Sequence, residues 1–438
     1  MDQTWKADWR GTLETLNRSL HVGLSRAEAN AFRQRNLSRV AMMVAAQSEF
    51  YRQRLAPVMG KSDLRPERWN DIPILTKEEL RANRDAILVT EPGPESGALR
   101  MGWTSGSEGE PLHYARTALS DYVSNQITQR FLRWWKLDGN RRLAQIHTTR
   151  QVTSERAGPG VRRGWLSGKP AGEHHTYPVS ADLQQHLAWL QEIRPAYLRS
   201  YPEVLYELAR LALRQGRVLR FDLLISGGGV LTPDTRKLCK DAFGCAVSDF
   251  YGAEEVGGIA AECPACGEFH GADENVLLEI IKDDGRPARV GEIGRVVVTT
   301  LFNHAFPLIR YHIGDYVEAG GGTACTQPLQ TIRRVLGRGK AIFRLNGGRM
   351  IWPYIPASEL GRLANVKRYQ FVQFALDALE FHYVPHNTAQ GIDDVALQGL
   401  VSTFLDPSLK VMSIPVAAIE RESNLKYMLY RSSLEGMT

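Results

Sequence analysis

The sequence predicts an α/β protein in two parts: a large N-terminal domain with parallel or mixed sheets, crossover helices and a β subdomain, then a small α+β C-terminal domain. Three observations predict it. Between about 180 and 250, short apolar runs alternate with helix-period runs, the pattern of a parallel sheet with crossover helices. From 276 to 335 the chain turns β-rich and is punctuated by Asp284-Gly285 and Gly314-Asp315. Beyond Gly337-Arg338-Gly339-Lys340, a natural hinge composition, about 100 residues carry strands and helices of their own.

In chain order, residues 25–55 read as one helix, with Ala29, Phe32, Leu37, Val40, Met43 and Val44 at roughly helical spacing. Thr76-Lys77-Glu78-Glu79 forms a capping box ahead of Leu80. Leu99 to Trp103 leads apolar into Thr104-Ser105-Gly106-Ser107-Glu108-Gly109-Glu110-Pro111. Glycines there let the backbone approach an anion, and hydroxyls beside free N–H groups can hold phosphate oxygens. A Ser/Gly-rich turn has the same composition, and no Gly-Lys-Ser/Thr closes the loop as in the common P-loop. Nothing predicts regular structure over 150–173.

Leu183, Leu187, Leu190 and Ile193 mark a helix face, and Ala196 to Tyr201 suits a strand. Val204 to Leu213 suits a helix stopped by Gly216. Phe221 to Ser226 suits a strand running into Gly227-Gly228-Gly229. Thr232 and Pro233 open a helix reaching Phe243, and Cys245 to Phe250 suits the next strand. Ligands of such sheets sit beyond the carboxyl ends of the strands. Gly227 to Gly229 and Tyr251-Gly252-Ala253-Glu254-Glu255 are therefore candidate site walls. Strands are expected at 276–281, 295–301 and 308–311, then at 370–374, 379–383 and 411–418, with helices near 356–365 and 392–405.

The chain has 438 residues, 43% hydrophobic and 23% charged, with a formal charge of +6. That suits a globular chain of two or three domains. The arginines are scattered, which argues against a nucleic-acid interface. No apolar run reaches the roughly 20 residues that span a bilayer, and the polar N-terminus lacks a signal-peptide core. A cytoplasmic protein with no membrane partner is expected. Five cysteines suit a reduced compartment and a metal site. Cys263-x-x-Cys266-x-x-x-His270, with Cys325 beyond, supplies three thiols and an imidazole suited to a structural Zn²⁺. Cys239 and Cys245 read as packing.

Taken in order, the segments SEFYRQRL with DIPILTKEELRAN, TSGSEGEP, RPAYLRSYPEVLYELA, SGGGVL, DFYGAEEVGG, GEIGRVVVTTLFNHAFPLIRYHIGD and GRGKAIF resemble the adenylate-forming ligase superfamily. In particular they resemble phenylacetate-CoA ligase-like enzymes, and the resemblance covers nearly the whole chain. It implies an ATP-dependent carboxylate ligase that forms an acyl-adenylate and passes the acyl group to a thiol. Coenzyme A is the expected acceptor and an aromatic acid the expected substrate. A carrier protein or an amine is the alternative acceptor, and a zinc-stabilised nucleic-acid-binding protein or an inactive binding module the alternative class.

The resemblance also implies site roles. Thr104, Ser105, Gly106, Ser107 and Gly109 would cradle phosphates, with Glu110 where relatives carry Lys. Gly228, Gly229, Asp249, Tyr251 and Gly252 would line the nucleotide, Tyr251 against adenine. Glu255 would hold Mg²⁺, with Glu254 in place of Ser or Thr. Asp315 would accept the ribose hydroxyls and Arg338 would contact ribose or phosphate. Lys340 sits at the hinge between an N-terminal domain spanning 1–336 and a mobile lid spanning 340–438. Lys426, preceded by Leu425 instead of Gly, is the candidate catalytic lysine. The comparable Cys/His cluster of this subgroup supports the zinc reading.

Overall fold

The computed structural model describes residues 14–18, 25–60, 64–104, 111–148, 160–321, 325, 329–419 and 428–434. Ser25 opens the first long helix, Arg26–Gln47, through a capping box with Glu28. The helix expected over 25–55 breaks at Ser48, which is extended at φ −125° and ψ 121°. Ser48 Oγ donates to Ala86 O at 2.6 Å and accepts from Tyr51 N–H, so it caps a second helix, Glu49–Leu55. A hydroxyl that competes for backbone groups ends the helix, although the apolar period runs on. Thr76 caps Lys77–Ala82 by accepting from Glu79 N–H. The reciprocal half of the expected box is replaced, because the Glu79 carboxylate pairs with Arg54.

The strands are β1 (Leu99–Trp103), β2 (His113–Thr117), β3 (Leu143–His147), β4 (Gly160–Arg163), β5 (Glu173–Pro178), β6 (Tyr197–Ser200), β7 (Leu223–Gly227), β8 (Ala246–Ala253), β9 (Gly257–Glu262), β10 (Phe269–Gly271), β11 (Val276–Ile281), β12 (Ile293–Thr300), β13 (Tyr311–Ala319) and β14 (Thr331–Arg338). β1 and β2 form a hairpin, and the others form one 12-stranded sheet in the order β11-β12-β13-β14-β10-β9-β8-β7-β6-β3-β5-β4. β5, β3, β6, β7 and β8 run parallel. From β8 to β11 every pairing is antiparallel. The expected β subdomain is therefore continuous with the parallel sheet through β9 and β10. β4 and the first residue of β5 lie in the stretch expected to lack regular structure; β4 is an edge strand whose order comes from pairing with β5.

Helices Leu183–Ile193, Pro202–Arg214 and Pro233–Phe243 bury Leu187, Leu190, Leu205, Leu208 and Phe243 against Ile146, Leu198, Leu224 and Val247. A second core joins Phe32, Tyr51 and Phe302 to Tyr251 and Tyr311. Leu75 bridges Tyr311 in parallel, Leu75 N–H to Arg310 O at 2.8 Å and His312 N–H to Leu75 O at 2.9 Å. That bridge docks the N-terminal region on β13.

Two expectations near Asp315 change. The strand begins at Tyr311, not Leu308, because Arg310 takes φ +48° while its guanidinium holds Asn70 O and Ile72 O. Gly314-Asp315 is not a turn but lies within β13. β12–β13 pairing jumps from Val297↔His312 to Arg295↔Tyr316, so β13 carries extra residues there. Such a bulge re-aims a side chain, and Gly314 absorbs it at φ +91°.

The remaining strands are β15 (Phe343–Arg344), β16 (Met350–Ile351), β17 (Val366–Ala375), β18 (Ala378–Pro385), β19 (Lys410–Pro415) and β20 (Tyr430–Ser432). β19-β18-β17-β20 form a separate four-stranded sheet, which with helix Asp394–Phe404 buries Phe371, Phe381, Leu397 and Val401 in its own core. Only Ala357–Leu360 of the helix expected near 356–365 is helical. Among the described residues no helix is long and apolar enough to cross a membrane.

Candidate active site

Four elements converge at the carboxyl end of β8. Tyr251 donates its hydroxyl to Asp315 Oδ2 at 2.9 Å. Arg338, opposite Asp315 in the β13–β14 register, lies 3.3 Å from Asp315 Oδ1 and donates to Ile313 O at 2.7 Å. A carboxylate offers about four acceptor sites. Tyr251 and Arg338 take two here, which leaves two for a vicinal diol.

Glu255 follows β8 in the turn to β9 and is 5% exposed. Tyr311 donates to it at 3.3 Å. Burial raises the Glu255 pKa, opposed by the charges of Arg338 and Lys77. Lys77 is itself 8% exposed. In the sequence Lys77 reads only as part of a cap. A cation in the first turn of a helix opposes the helix dipole, and that was the available signal for another role.

Gly228 needs its lack of a side chain: it has φ +78°, and a Cβ would lie 3.0 Å from the Tyr201 ring. At Gly252 a Cβ would lie 2.5 Å from Gly257 O across the β8–β9 hairpin. Thr104 closes the neck of the β1–β2 loop, with Thr104 N–H to Leu112 O at 2.9 Å and Leu112 N–H to Thr104 Oγ1 at 3.0 Å. Ser105, Gly106, Ser107, Gly109 and Glu110 lie outside the described residues, as does Lys426. Asp249, expected beside the nucleotide, lies on β8 opposite Ser226 of β7. Its carboxyl is buried near Arg236 and Ser226, and burial lifts its pKa to about 7. Lys340 lies in the short helical turn Gly339–Ala341 after β14.

A cavity of about 450 Å³ opens between the β1–β2 hairpin and helix Ala118–Trp134, lined by Arg100, Tyr114, Arg116, Asp121 and Glu254 among others. Both arginines pair with Asp121. No sequence pattern pointed to it, since its walls come from segments over 100 residues apart.

The donor atoms of Cys263, Cys266, His270 and Cys325 lie within 4.8 Å of one another. Cys263 Sγ and Cys325 Sγ are 3.8 Å apart, and Cys266 Sγ lies 3.2 Å from His270 Nε2. A tetrahedral ion with Zn–S bonds of about 2.3 Å sets its sulfurs about 3.8 Å apart, the spacing of Cys263 and Cys325.

No protein-family model matches the chain. It is 23% identical over 403 residues to phenylacetate-coenzyme A ligase of Pseudomonas putida, covering 86% of this chain and 87% of that one. It is 26% identical over 366 residues to the Thermus thermophilus enzyme of the same name, covering 80% and 79%. Over most of its length the chain is therefore similar to phenylacetate-CoA ligases, as the resemblance to that group of adenylate-forming enzymes implied. The fold agrees. A 2-hydroxyisobutyryl-CoA ligase in the postadenylation state superposes with a TM-score of 0.71 over 95% of this chain and 92% of that one, at 16% identity.

Proposed function

We propose that this chain is an AMP-forming acid–coenzyme A ligase. The observation that carries the reading is the Tyr251–Asp315–Arg338 network near Glu255: a fixed carboxylate with spare acceptor sites, and a buried acid that feels the charges of Arg338 and Lys77. Two similar proteins are named phenylacetate-coenzyme A ligase. Solved neighbours are described with an acyl-AMP and with coenzyme A.

In this reading Asp315 takes the ribose hydroxyls, Tyr251 and Arg338 hold its orientation, and the Tyr251 ring faces adenine. Thr104 to Gly109 line the phosphates, with Gly228, Gly229 and Gly252 at the wall. A substrate carboxylate attacks the α-phosphorus of ATP, its oxygen–phosphorus bond forms, and pyrophosphate leaves. The thiol of coenzyme A then attacks the acyl carbon and AMP leaves. Lys77 and Arg338 offset the phosphate charge, and Lys426 supplies a further cation for the first step.

Glu255 would hold Mg²⁺, because a divalent ion relieves the cost of burying a charged carboxylate there. Such an ion neutralises phosphate charge when bound. Cys263, Cys266, His270 and Cys325 would hold a structural Zn²⁺. The separate core of residues 343–430 supports a lid from 340 that moves about residues 337–340. The phenylacetate in the names of these similar proteins favours an aromatic acid.

The test is pyrophosphate release from ATP across a panel of carboxylic acids, then coenzyme A-dependent AMP formation with each acid that works. Release with no acid in the panel would overturn the reading. Release without AMP formation on adding coenzyme A would redirect it to another acceptor.

A further inference from the structure

Among the groups that the ligase reading leaves unused is a guanidinium on the sheet face that lies across from the crossover helices. β6 carries Arg199, which stands opposite Gln145 of β3 and Ile225 of β7. Its guanidinium lies over the Phe250 ring, 5.8 Å from the centroid. Strand alternation puts His147, two residues beyond Gln145, on the same face. His174 of β5 pairs with Leu143 of β3, two residues before Gln145, and so shares that face too. Arg162 of β4 stands opposite His174 and donates Nε–H to its Nδ1 at 2.8 Å.

Two arginines and two histidines thus share this face, with no acid paired to Arg199 among the described residues. The charged neighbours acting on Arg199, His147 and His174 are Arg162, Arg199, the histidines and Tyr201. His174 is 3% exposed, and burial lowers its pKa to about 3, so it is neutral. Its Nδ1 accepts from Arg162, so its proton sits on Nε2, which has no partner among the described residues. A partly buried guanidinium without a counter-charge, beside a buried N–H donor without an acceptor, is costly unless an anion visits.

The cluster borders the candidate active site. Tyr201, two residues past Arg199, packs against Gly228 and bonds to Thr148 Oγ1 at 3.0 Å. Phe250, under the guanidinium, precedes Tyr251. The position is near the carboxyl ends of the parallel strands, where ligands of such sheets bind.

We propose that Arg199 recognises a second carboxylate on the acid substrate, so that the enzyme activates dicarboxylic acids and leaves one carboxylate untouched. This inference rests on the ligase reading. The planar guanidinium presents a fork matched to a carboxylate, and the Phe250 face holds its plane. The distal carboxylate binds at Arg199 while the other is presented to ATP.

The test compares matched acids in pyrophosphate release: succinate with butyrate, adipate with hexanoate, and 4-carboxyphenylacetate with phenylacetate. The wild type is expected to favour the diacid in at least one pair, and the best chain length reports the span between the two carboxylates. Arg199→Met is expected to lose roughly 10- to 100-fold in kcat/KM for that diacid, mainly through KM, the effect of one charge-assisted bond. The matched monoacid should change by no more than about twofold. Arg199→Lys should fall between, because it keeps the charge and loses the fork. Without ligand, Arg199→Met should melt at or above the wild type, since it removes an unpaired charge.

Preference for the monoacid in all pairs overturns the proposal and leaves the ligase reading intact. Equal loss on both acids, or a melt several degrees lower, overturns it too, by making Arg199 general to the reaction or structural. Release with no acid removes both.

Discussion

Replacing Asp315 with Ala removes a carboxylate that has two protein partners and two open acceptor sites. If ribose fills those sites, the variant loses two charge-assisted hydrogen bonds. With each worth about 1.5–3 kcal/mol, a loss of roughly 3 kcal/mol or more is expected, about 100-fold in ATP affinity. The same change strands a buried donor, because the Tyr251 hydroxyl bonds to Asp315 at 2.9 Å. An unsatisfied buried hydroxyl costs about 1–3 kcal/mol, so the melting temperature should fall by a few degrees. Arg338 keeps its bond to Ile313 O. Adding Tyr251→Phe to Asp315→Ala removes the stranded donor and should recover part of the stability while ATP binding stays weak. Calorimetric titration with ATP, run beside thermal melts of both variants, separates the two effects. Unchanged ATP affinity in a folded Asp315→Ala protein would refute the reasoning. Tyr251 and Arg338 would then lose their assigned roles too, since they reach the nucleotide only through or beside this carboxylate.

Purified protein prepared without chelator should carry about one zinc per chain, and Cys263→Ser should lose metal and thermal stability together; metal analysis showing no zinc in the wild type removes the assignment. Lys426→Ala should slow adenylation about 100- to 1000-fold while transfer from a supplied acyl-adenylate stays near normal, and Lys340→Pro should give the reverse. Single-turnover rates of each half-reaction decide this, and adenylation by Lys426→Ala at the parent rate would exclude the lysine. Asp249, with its pKa lifted to about 7 by burial, holds its proton in the fold, whereas the unfolded chain releases it near pH 4. The folded state therefore binds more protons between those values, and stability falls as pH rises through them. Asp249→Asn should flatten that part of the melting profile and melt higher than the wild type at pH 8; parallel profiles would show that Asp249 ionises freely in the fold.

The sequence by itself determined what depends on neighbours along the chain. The helix period and the Thr232-Pro233 start placed helix Pro233–Phe243, and alternation with the flanking apolar runs announced the parallel strands. The Cys263-x-x-Cys266-x-x-x-His270 spacing marked a cluster that the structure gathers within 4.8 Å, the candidate metal donors. The order of short motifs marked Glu255 and Asp315. Tertiary structure decided what depends on register across long separations. Gly314-Asp315 reads as a turn because Gly and Asp favour turns, yet pairing with β12 and β14 draws it into a bulge that turns Asp315 toward Tyr251. Ser48 ends a helix because Ala86 O lies beside its hydroxyl. Lys77 and Arg199 carry no local signal beyond one charge in a short segment. Lys77 gains its meaning from the bridge between Leu75 and Tyr311, and Arg199 from a sheet face that sets it beside Phe250 with no acid paired to it among the described residues. Composition records a charge, but only the packed sheet fixes which charges face one another and which face a ligand.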